Sequence, residues 1–352
     1  MGGGEIHKGS SSLSSNESCR NPTAYFFDRD VETIIQHASE EQDRKIYLEV
    51  LNTYKNGLNL EKLEEAKRKV LSYTPGSRID NFDHSNFPKT TSIILVGPKG
   101  SGKSSLVNKI SAALEGYKLG LCRAQVSYNG SSENGTYFLH EFMVPRSSSS
   151  ICLYDTRSLS EDVSENNEML IGWMTGGVCH GELVQKNSDT IDLNNRLRAK
   201  ARHNHRLGKP REVNFAILVV NAVDVLKSIS GEDESFKNYS QLIATTFNNP
   251  FLSFKDDKPA IVITHGDLLS IEDRVSVRLY LGDVMQAHPK TQIFDIPDDE
   301  DSPTILSVFE MLNYCLDRAD RNLLSKQMMI PTISLFSSML FVLMLTTTYM
   351  LK

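Results

Sequence analysis

The apolar residues of this chain follow different patterns from one segment to the next. Residues 1–24 are mostly Gly, Ser and Asn and cannot offset their ordering entropy, so we expect a disordered arm. Over residues 25–87 apolar residues recur at helical spacing among charges, which predicts a helical extension. One helix ends at Gly57 and a second begins at the cap Asn59. The second helix is expected to turn these residues inward: Leu60, Leu63, Ala66, Val70 and Leu71.

Between residues 88 and 325, short β-rich runs alternate with longer segments. The six runs are 92–96, 137–144, 151–154, 214–220, 260–264 and 292–295. Most are continuously apolar, which is typical of parallel strands covered by helices on both faces. The second and third lie close enough in sequence to form an antiparallel pair. We therefore predict a three-layer α/β domain with a mostly parallel six-stranded sheet. A last helix completes it, with one face formed by Ile305, Val308, Phe309, Leu312, Leu316, Ala319 and Leu323.

A glycine-rich segment follows the first predicted strand and precedes a helix-like stretch. Its residues are Gly97, Pro98, Lys99, Gly100, Ser101, Gly102, Lys103, Ser104 and Ser105. They fit the pattern G-x-x-x-x-G-K-[ST] between a strand and a helix. Backbone amides of such a loop surround phosphate oxygens, and Lys103 is expected to reach the β and γ phosphates as a catalytic group. Ser104 is expected to bind Mg²⁺, so the segment predicts a site for a nucleoside triphosphate with magnesium.

This loop resembles the Walker A motif of the P-loop NTPases, and the strand order after it resembles the Ras-like (TRAFAC-type) GTPase domain. The likeness covers roughly Pro88 to Leu324 and implies a P-loop GTPase-like domain over residues 88–325. The chain also resembles, more loosely, the interferon-induced protein 44 family and uncharacterised plant P-loop NTPases. The features that carry this resemblance are the sequence Gly-Pro-Lys-Gly-Ser-Gly-Lys-Ser-Ser and a long helical insertion after the third strand.

The third predicted strand ends in Asp155, where the resemblance implies the carboxylate that holds Mg²⁺ through water. A strand-end aspartate capping a turn is the alternative. Ser158 replaces the family's glycine, and Leu159 replaces the glutamine with which many members orient the attacking water. Hydrolysis is therefore expected to be slow, or to depend on Arg157 or on a partner's arginine. Thr136 is the best candidate for the magnesium ligand of switch I.

After the fifth predicted strand, the segment Thr264-His-Gly-Asp267 resembles the Asn/Thr-Lys-x-Asp motif that recognises guanine. Asp267 could accept two hydrogen bonds from the guanine edge, which discriminates against adenine. His265 stands in place of the lysine whose stem covers the base, and an imidazole can stack there too. A plain strand-to-loop turn is the alternative for this segment.

Composition and charge narrow the range of partners. The formal net charge of −6 gives no general reason to expect nucleic-acid binding, and the five cysteines lie too far apart to suggest a disulfide framework or a zinc site. Residues 196–211 form a basic run without an acid. This run could meet an anionic lipid or an acidic partner, but it lacks interleaved aromatic residues, so nucleic acid is not expected. A solvated helix face is the alternative.

Residues 327–351 are 25 consecutive uncharged residues, mostly apolar. As a helix they would extend about 37 Å, against a hydrocarbon core of about 30 Å. Residues 326–352 are therefore predicted to be a single-pass transmembrane anchor, and a buried core helix is the alternative. Arg318, Arg321 and Lys326 precede it, which keeps the rest of the chain cytosolic. We expect the cytosolic face of an intracellular membrane, either the endoplasmic reticulum or the mitochondrial outer membrane.

These features together predict a membrane-anchored GTP-binding switch with slow or partner-dependent hydrolysis. Two other functions stay open at this point. One is an ATP-dependent enzyme that shares the phosphate loop without guanine selectivity. The other is a membrane tether that does not hydrolyse nucleotide and is only stabilised by it.

Overall fold

The computed structural model describes residues 41–55, 59–79, 87–116, 123–126, 135–203, 208–231, 234–254 and 257–323. The chain divides into two units, residues 1–48 and 49–352. The described part of the first unit, residues 41–48, is helical. The predicted disordered arm (1–24) and the predicted anchor (327–351) lie outside the described residues. Within the described ranges, no helix has both the length and the apolar character needed to cross a membrane.

A six-stranded sheet forms the centre of the second unit. Its strands are β1 (Thr91–Val96), β2 (His140–Met143), β3 (Ile151–Asp155), β4 (Phe215–Asn221), β5 (Ala260–Thr264) and β6 (Ile293–Asp295). Their order across the sheet is β2-β3-β1-β4-β5-β6. All neighbours pair in parallel except β2, which is antiparallel to β3. The predicted mostly parallel sheet and its one antiparallel pair are confirmed.

Helices alternate with the strands, as parallel pairing requires. Their bounds are α1 (41–55), α2 (Leu60–Leu71), α3 (Lys103–Glu115), α4 (Val163–Gly176), α5 (Ile191–His203), α6 (Ala222–Ser230), α7 (Glu234–Phe247), α8 (Ile271–Met285) and α9 (302–323). Short 3₁₀ turns cover Pro250–Leu252 and Gly266–Leu268. Asn59 caps α2 by accepting a hydrogen bond from the backbone N–H of Lys62, as predicted.

Apolar residues of the strands pack on both faces of the sheet, which makes the domain three-layered. On one face, α2, α3 and α9 pack against alternate strand residues such as Ile93, Leu95 and Val219. On the other face, α4 covers Ile94 and Val96. The helices α6, α7 and α8 cover the adjoining part of that second face. This architecture fits a P-loop nucleotide-binding fold.

Two details differ from the sequence prediction. The second strand begins at His140 rather than at 137, because Phe138 pairs with Leu183 instead of continuing the ladder with β3. In α2, the expectation that Leu60 and Leu71 face inward is wrong, since they are 66% and 48% exposed. The buried residues Leu63, Ala66 and Val70 form a stripe narrower than predicted, and Leu71 lies about 100° around the helix from its neighbour Val70.

Candidate functional site

The glycine-rich segment connects the carboxyl end of β1 to the first turn of α3, as its sequence predicted. Gly97 lies against β4, where a Cβ atom would come within 2.2 Å of the Val219 carbonyl oxygen. Gly100 and Gly102 have φ of +77° and +83°, a left-handed conformation that glycine adopts without strain. Gly102 also precedes α3 directly, so the loop ends at a helix N-terminus, where backbone N–H groups favour an anion.

Lys103 is folded back over this loop. Its ammonium donates hydrogen bonds to the carbonyl oxygens of Gly97 at 2.8 Å and Pro98 at 2.9 Å. The Ser101 hydroxyl lies 3.4 Å from the same nitrogen. Burial lowers the pKa of Lys103 to about 8, the charge of Asp155 acts in the opposite direction, and the charge of Lys186 lowers it further. Lys103 is therefore held at the loop as a buried cation.

Ser104 and Asp155 meet at the same end of the sheet. The Ser104 hydroxyl donates a 2.6 Å hydrogen bond to Oδ2 of Asp155, the last residue of β3. Burial raises the pKa of Asp155, an effect that the Ser104 bond, Lys103, His140 and the nearby Thr136 hydroxyl partly oppose. Its other oxygen, Oδ1, is buried and has no hydrogen-bond partner among the described residues.

These hard oxygen donors fit Mg²⁺, which prefers a few protein ligands together with phosphate oxygens and water. In the part of the chain that the structure describes, no group of three or more His, Cys, Asp or Glu side chains is placed to hold a metal. The fit therefore depends on the Ser104 hydroxyl and on the unpaired Oδ1 of Asp155. The sequence prediction for both residues as metal ligands stays a prediction.

The segment after Asp155 continues beside the phosphate loop. The backbone N–H of Leu159 donates to the carbonyl oxygen of Gly97 at 3.0 Å, and Leu159 bridges Pro98. The Leu159 side chain is 3% exposed and belongs to the core between β1 and α4. At the position where the resemblance places a water-orienting glutamine, the side chain thus points into the core.

Arg157, the predicted substitute for that glutamine, is engaged elsewhere. Its Nη1 donates to the Val184 carbonyl oxygen and to Oδ2 of Asp189, both at 2.7 Å, and its Nη2 pairs with Oδ1 of Asp189. The guanidinium also lies 5.0 Å from the centre of the Tyr137 ring. Arg157 is 7% exposed. A catalytic role would require this bidentate pair to open, so that role stays a prediction.

Lys186 is a largely buried cation beside the pair of Arg157 and Asp189, and sequence reasoning missed it. It is 9% exposed, and its backbone N–H donates to Asp189. Burial lowers the pKa of its side chain to about 8, and the charge of Arg157 adds to this effect. No local motif surrounds Lys186 in the sequence, and its backbone position is set by Asp189, which also binds Arg157.

The proposed guanine-recognition segment lies against the phosphate loop. The Thr264 hydroxyl donates to the Ser101 carbonyl oxygen at 2.9 Å, and it lies 2.8 Å from Nδ1 of His265. His265 adopts φ of 59°, so the chain turns sharply into the 3₁₀ turn that carries Asp267. Asp267 is exposed, and its Oδ1 accepts the backbone N–H of Asp298 from the loop after β6. Base recognition by these residues remains a prediction.

The other predicted residues take varied positions. Lys99 is exposed, whereas Ser101 is fully buried and Ser105 is half-buried in the first turn of α3. In the basic run, these described residues are exposed: Arg196, Arg198, Lys200, Arg202 and Lys209. Arg211 is an exception, because it forms an ion pair with Glu141 and a backbone pair with Val178. Residues 204–207 of the run lie outside the described residues.

No protein-family model matches this chain, and no curated protein matches it. Among solved structures it is similar to a tyrosine-to-alanine variant of Aquifex aeolicus Era bound to GDP·AlF₄⁻. That match has 15% identity and a TM-score of 0.32, and covers 59% of this chain and 51% of that one. It is also similar to the chloroplast translocon components atToc33 and psToc159, for whose GTPase activity dimerization is important. Here identity is 14% and the TM-score 0.34, with 64% of this chain and 83% of that chain covered. The chain thus spans about half the length of the Era structure.

Proposed function

We propose that this chain binds a nucleoside triphosphate with Mg²⁺ at its phosphate loop and works as a GTP-binding switch on a membrane. The observation that carries the proposal is the group formed by Lys103, Ser104 and Asp155. A buried ammonium, a hydroxyl and a carboxylate oxygen without a partner lie together at the N-terminus of α3. Each of these groups gains an interaction from a metal-bound triphosphate.

The phosphate part of the ligand would replace weak internal contacts. Lys103 now donates to loop carbonyl oxygens, and a phosphate oxygen is a stronger, charged acceptor. Ser104 and Asp155 would hold Mg²⁺, which would supply positive charge to the phosphates. An unpaired buried carboxylate oxygen costs free energy, so binding the metal removes a penalty already present in the free protein.

Guanine is proposed as the base. Asp267 is exposed, and the backbone of Asp298 fixes one of its oxygens. Its orientation is set by the sharp turn at His265, and Thr264 ties that turn to the phosphate loop. A carboxylate can accept from both the ring N–H and the amino group of guanine, whereas adenine offers no such pair on that edge. Equal affinity for ATP would favour an ATP-dependent enzyme instead.

Hydrolysis is proposed to be slow, or to need a partner. The support is that the Leu159 side chain is buried in the core, and that Arg157 is held by Asp189 and Val184. Neither side chain is free to orient a water molecule. A lasting GTP-bound state would suit a switch that presents different loop conformations to a partner. If turnover never exceeds that of Lys103→Ala, a tether that nucleotide merely stabilises is favoured.

A C-terminal anchor is proposed for residues 327–351, on the strength of their uncharged composition. The proposed location is the cytosolic face of the endoplasmic reticulum or the mitochondrial outer membrane. The exposed part of the basic run 196–211 would then be available to anionic headgroups or an acidic partner. We also propose, from the sequence alone, that the chain is related to the interferon-induced protein 44 family or to the uncharacterised plant P-loop NTPases.

The experiment that tests the function is a competition titration with labelled GTP in Mg²⁺. We expect unlabelled GTP to displace the label at least about tenfold more effectively than ATP, because Asp267 pairs only with guanine. Asp267→Asn replaces one accepting oxygen with a donating NH₂ group. The variant should therefore lose affinity for GTP and gain affinity for xanthosine triphosphate, whose base carbonyl can accept from the new amide. Guanine recognition would be refuted if ATP displaced the label as well as GTP does, or if Asp267→Asn kept the wild-type preference for GTP over xanthosine triphosphate.

A further inference from the structure

The carboxylate of Asp295 lies against the proposed guanine-recognition segment. Asp295 is the last residue of β6 and is 6% exposed. A Cβ atom on Gly266, the residue before Asp267, would come within 2.7 Å of its Oδ1 and within 3.1 Å of Nε of Arg274. The backbone of Gly266 therefore packs directly on this carboxylate and on the guanidinium that binds it.

Asp295 also begins the loop that binds the side chain of Asp267. Three residues after Asp295, the backbone N–H of Asp298 donates to Oδ1 of Asp267 at 3.1 Å. The start of this loop is fixed, because the Ser307 hydroxyl donates to the Asp295 carbonyl oxygen at 2.9 Å. The position of Asp295 thus bears on Asp267 in two ways, through the adjacent Gly266 and through Asp298.

Two side chains hold the Asp295 carboxylate, and both use the same oxygen. The Tyr54 hydroxyl donates to Oδ2 at 2.8 Å, and Nε of Arg274 donates to it at 2.7 Å. The other oxygen, Oδ1, is buried and has no hydrogen-bond partner among the described residues. A buried carboxylate oxygen without a partner costs free energy. The orientation of Asp295 therefore depends on the two bonds at Oδ2.

Tyr54 comes from α1, in the part of that helix that belongs to the second unit. The guanidinium carbons of Arg274 and Arg278 lie 4.9 Å and 6.0 Å from the centre of its ring, within the range of cation–π contact. Nη1 of Arg278 also donates to the hydroxyl of Thr53 at 3.4 Å. These contacts seat the end of α1 on α8, so the Tyr54 hydroxyl meets Asp295 in a fixed orientation.

We propose that Tyr54 is a positioning residue for the nucleotide base. By holding Asp295 against Gly266, it fixes the segment that presents Asp267, and it thereby makes the N-terminal helix part of guanine selection. This inference rests on the proposed function, because it requires Asp267 to accept from guanine. Asp267 is exposed, and an exposed carboxylate that is already oriented loses less conformational entropy when it binds a base.

The test measures the affinity of the full chain for labelled GTP and, by competition, for ATP, both in Mg²⁺. Tyr54→Phe removes one hydroxyl and keeps the ring that contacts Arg274 and Arg278. We expect GTP affinity to fall about three- to tenfold and ATP affinity to change by less than about twofold, because ATP uses the phosphate loop but not Asp267. Tyr47→Phe, at an exposed position on α1, is the matched control and should change neither affinity.

A second background shows whether Tyr54 acts through Asp267. In Asp267→Ala, adding Tyr54→Phe should lower GTP affinity by less than about twofold, because the group that Tyr54 positions is gone. A further three- to tenfold loss in that background would overturn the inference. Since Oδ2 of Asp295 keeps its bond to Arg274, nucleotide-free Tyr54→Phe should melt within about 4 °C of the wild type.

The outcomes separate the inference from the function beneath it. If the wild type prefers GTP but Tyr54→Phe lowers GTP and ATP affinity equally, or lowers neither, Tyr54 does not position the base segment. The same conclusion follows if Tyr54→Phe fails to fold, or melts far lower with an unchanged ratio of the two affinities, because the bond is then structural. If the wild type binds GTP no better than ATP, guanine recognition fails and the inference fails with it.

Discussion

Breaking the ion pair between Arg157 and Asp189 tests the role of Arg157. The sequence predicts a catalytic role for this residue, whereas in the structure its guanidinium is bound by the Asp189 carboxylate. The perturbation is Arg157→Met, which keeps an unbranched apolar stem and removes the charged guanidinium. It leaves the Asp189 carboxylate, with 4% of its side chain exposed, without its bidentate partner.

The size of the effect follows from that burial. Breaking a buried pair by removing one partner costs about 3–5 kcal/mol, because an uncompensated charge remains in the interior. For a domain of this size, that loss lowers the melting temperature by about 6–20 °C. Burial would raise the pKa of Asp189, but the Arg157 and Lys186 N–H bonds outweigh this and lower it. The pair's contribution is therefore present above the ordinary carboxyl pKa and is lost as the pH falls below it.

The assay is denaturant unfolding of the wild type, the two single variants Arg157→Met and Asp189→Asn, and the double variant. We expect a coupling free energy of about 1–3 kcal/mol, since replacing both partners removes the stranded charge. Arg68→Met, at an exposed position on α2, should stay within about 0.5 kcal/mol of the wild type. Wild-type stability of Arg157→Met combined with a loss of turnover would refute the structural reasoning and restore the catalytic role.

Three further predictions concern the loop and its neighbours. Because burial lowers the pKa of Lys103 to about 8, triphosphate affinity should be constant below that pH and fall by up to about tenfold per pH unit above it. Titrations from pH 7 to 9.5 will check this, and a flat profile would contradict it. Gly97→Ala places a Cβ atom 2.2 Å from a β4 carbonyl oxygen and should cost about 1–3 kcal/mol in unfolding free energy. Gly172→Ala, where a Cβ atom meets nothing within 4 Å, should cost nothing. Thr264→Val removes the hydroxyl that ties the predicted guanine segment to the loop, so GTP affinity should fall about three- to tenfold, which the same titration measures.

The sheet could be predicted because all its strands except the edge strand β2 are buried on both faces. A run such as Ala260–Thr264 is apolar up to its final threonine and buried throughout, and its bounds are the same in the sequence prediction and in the structure. The second strand was harder, since Phe138 pairs with Leu183, 45 residues away, and periodicity says nothing about such a partner. The exposed Leu60 and Leu71 were mispredicted because apolar spacing alone does not show how wide the buried stripe of a helix is.

The phosphate loop could be predicted because its chemistry lies in consecutive residues, from Gly97 to Ser104. To be recognised as a phosphate loop, this motif of glycines, lysine and serine needs only a strand before it and a helix after it. The engagement of Arg157 could not be predicted, because its partner Asp189 lies 32 residues further along the chain. The burial of Leu159 likewise depends on the packing of α4, which no local pattern shows.

The central claim is that Lys103, Ser104 and Asp155 form a site for a magnesium-bound nucleoside triphosphate. The most direct measurement is a fluorescence titration of the full chain with labelled GTP, carried out in Mg²⁺ and again in excess chelator, beside the same titration of Lys103→Ala. We predict saturable binding at one site per chain, weakened by the chelator and lost in the variant, with unchanged melting of the nucleotide-free protein. Binding that is absent from the wild type, or that survives Lys103→Ala intact, would contradict the account.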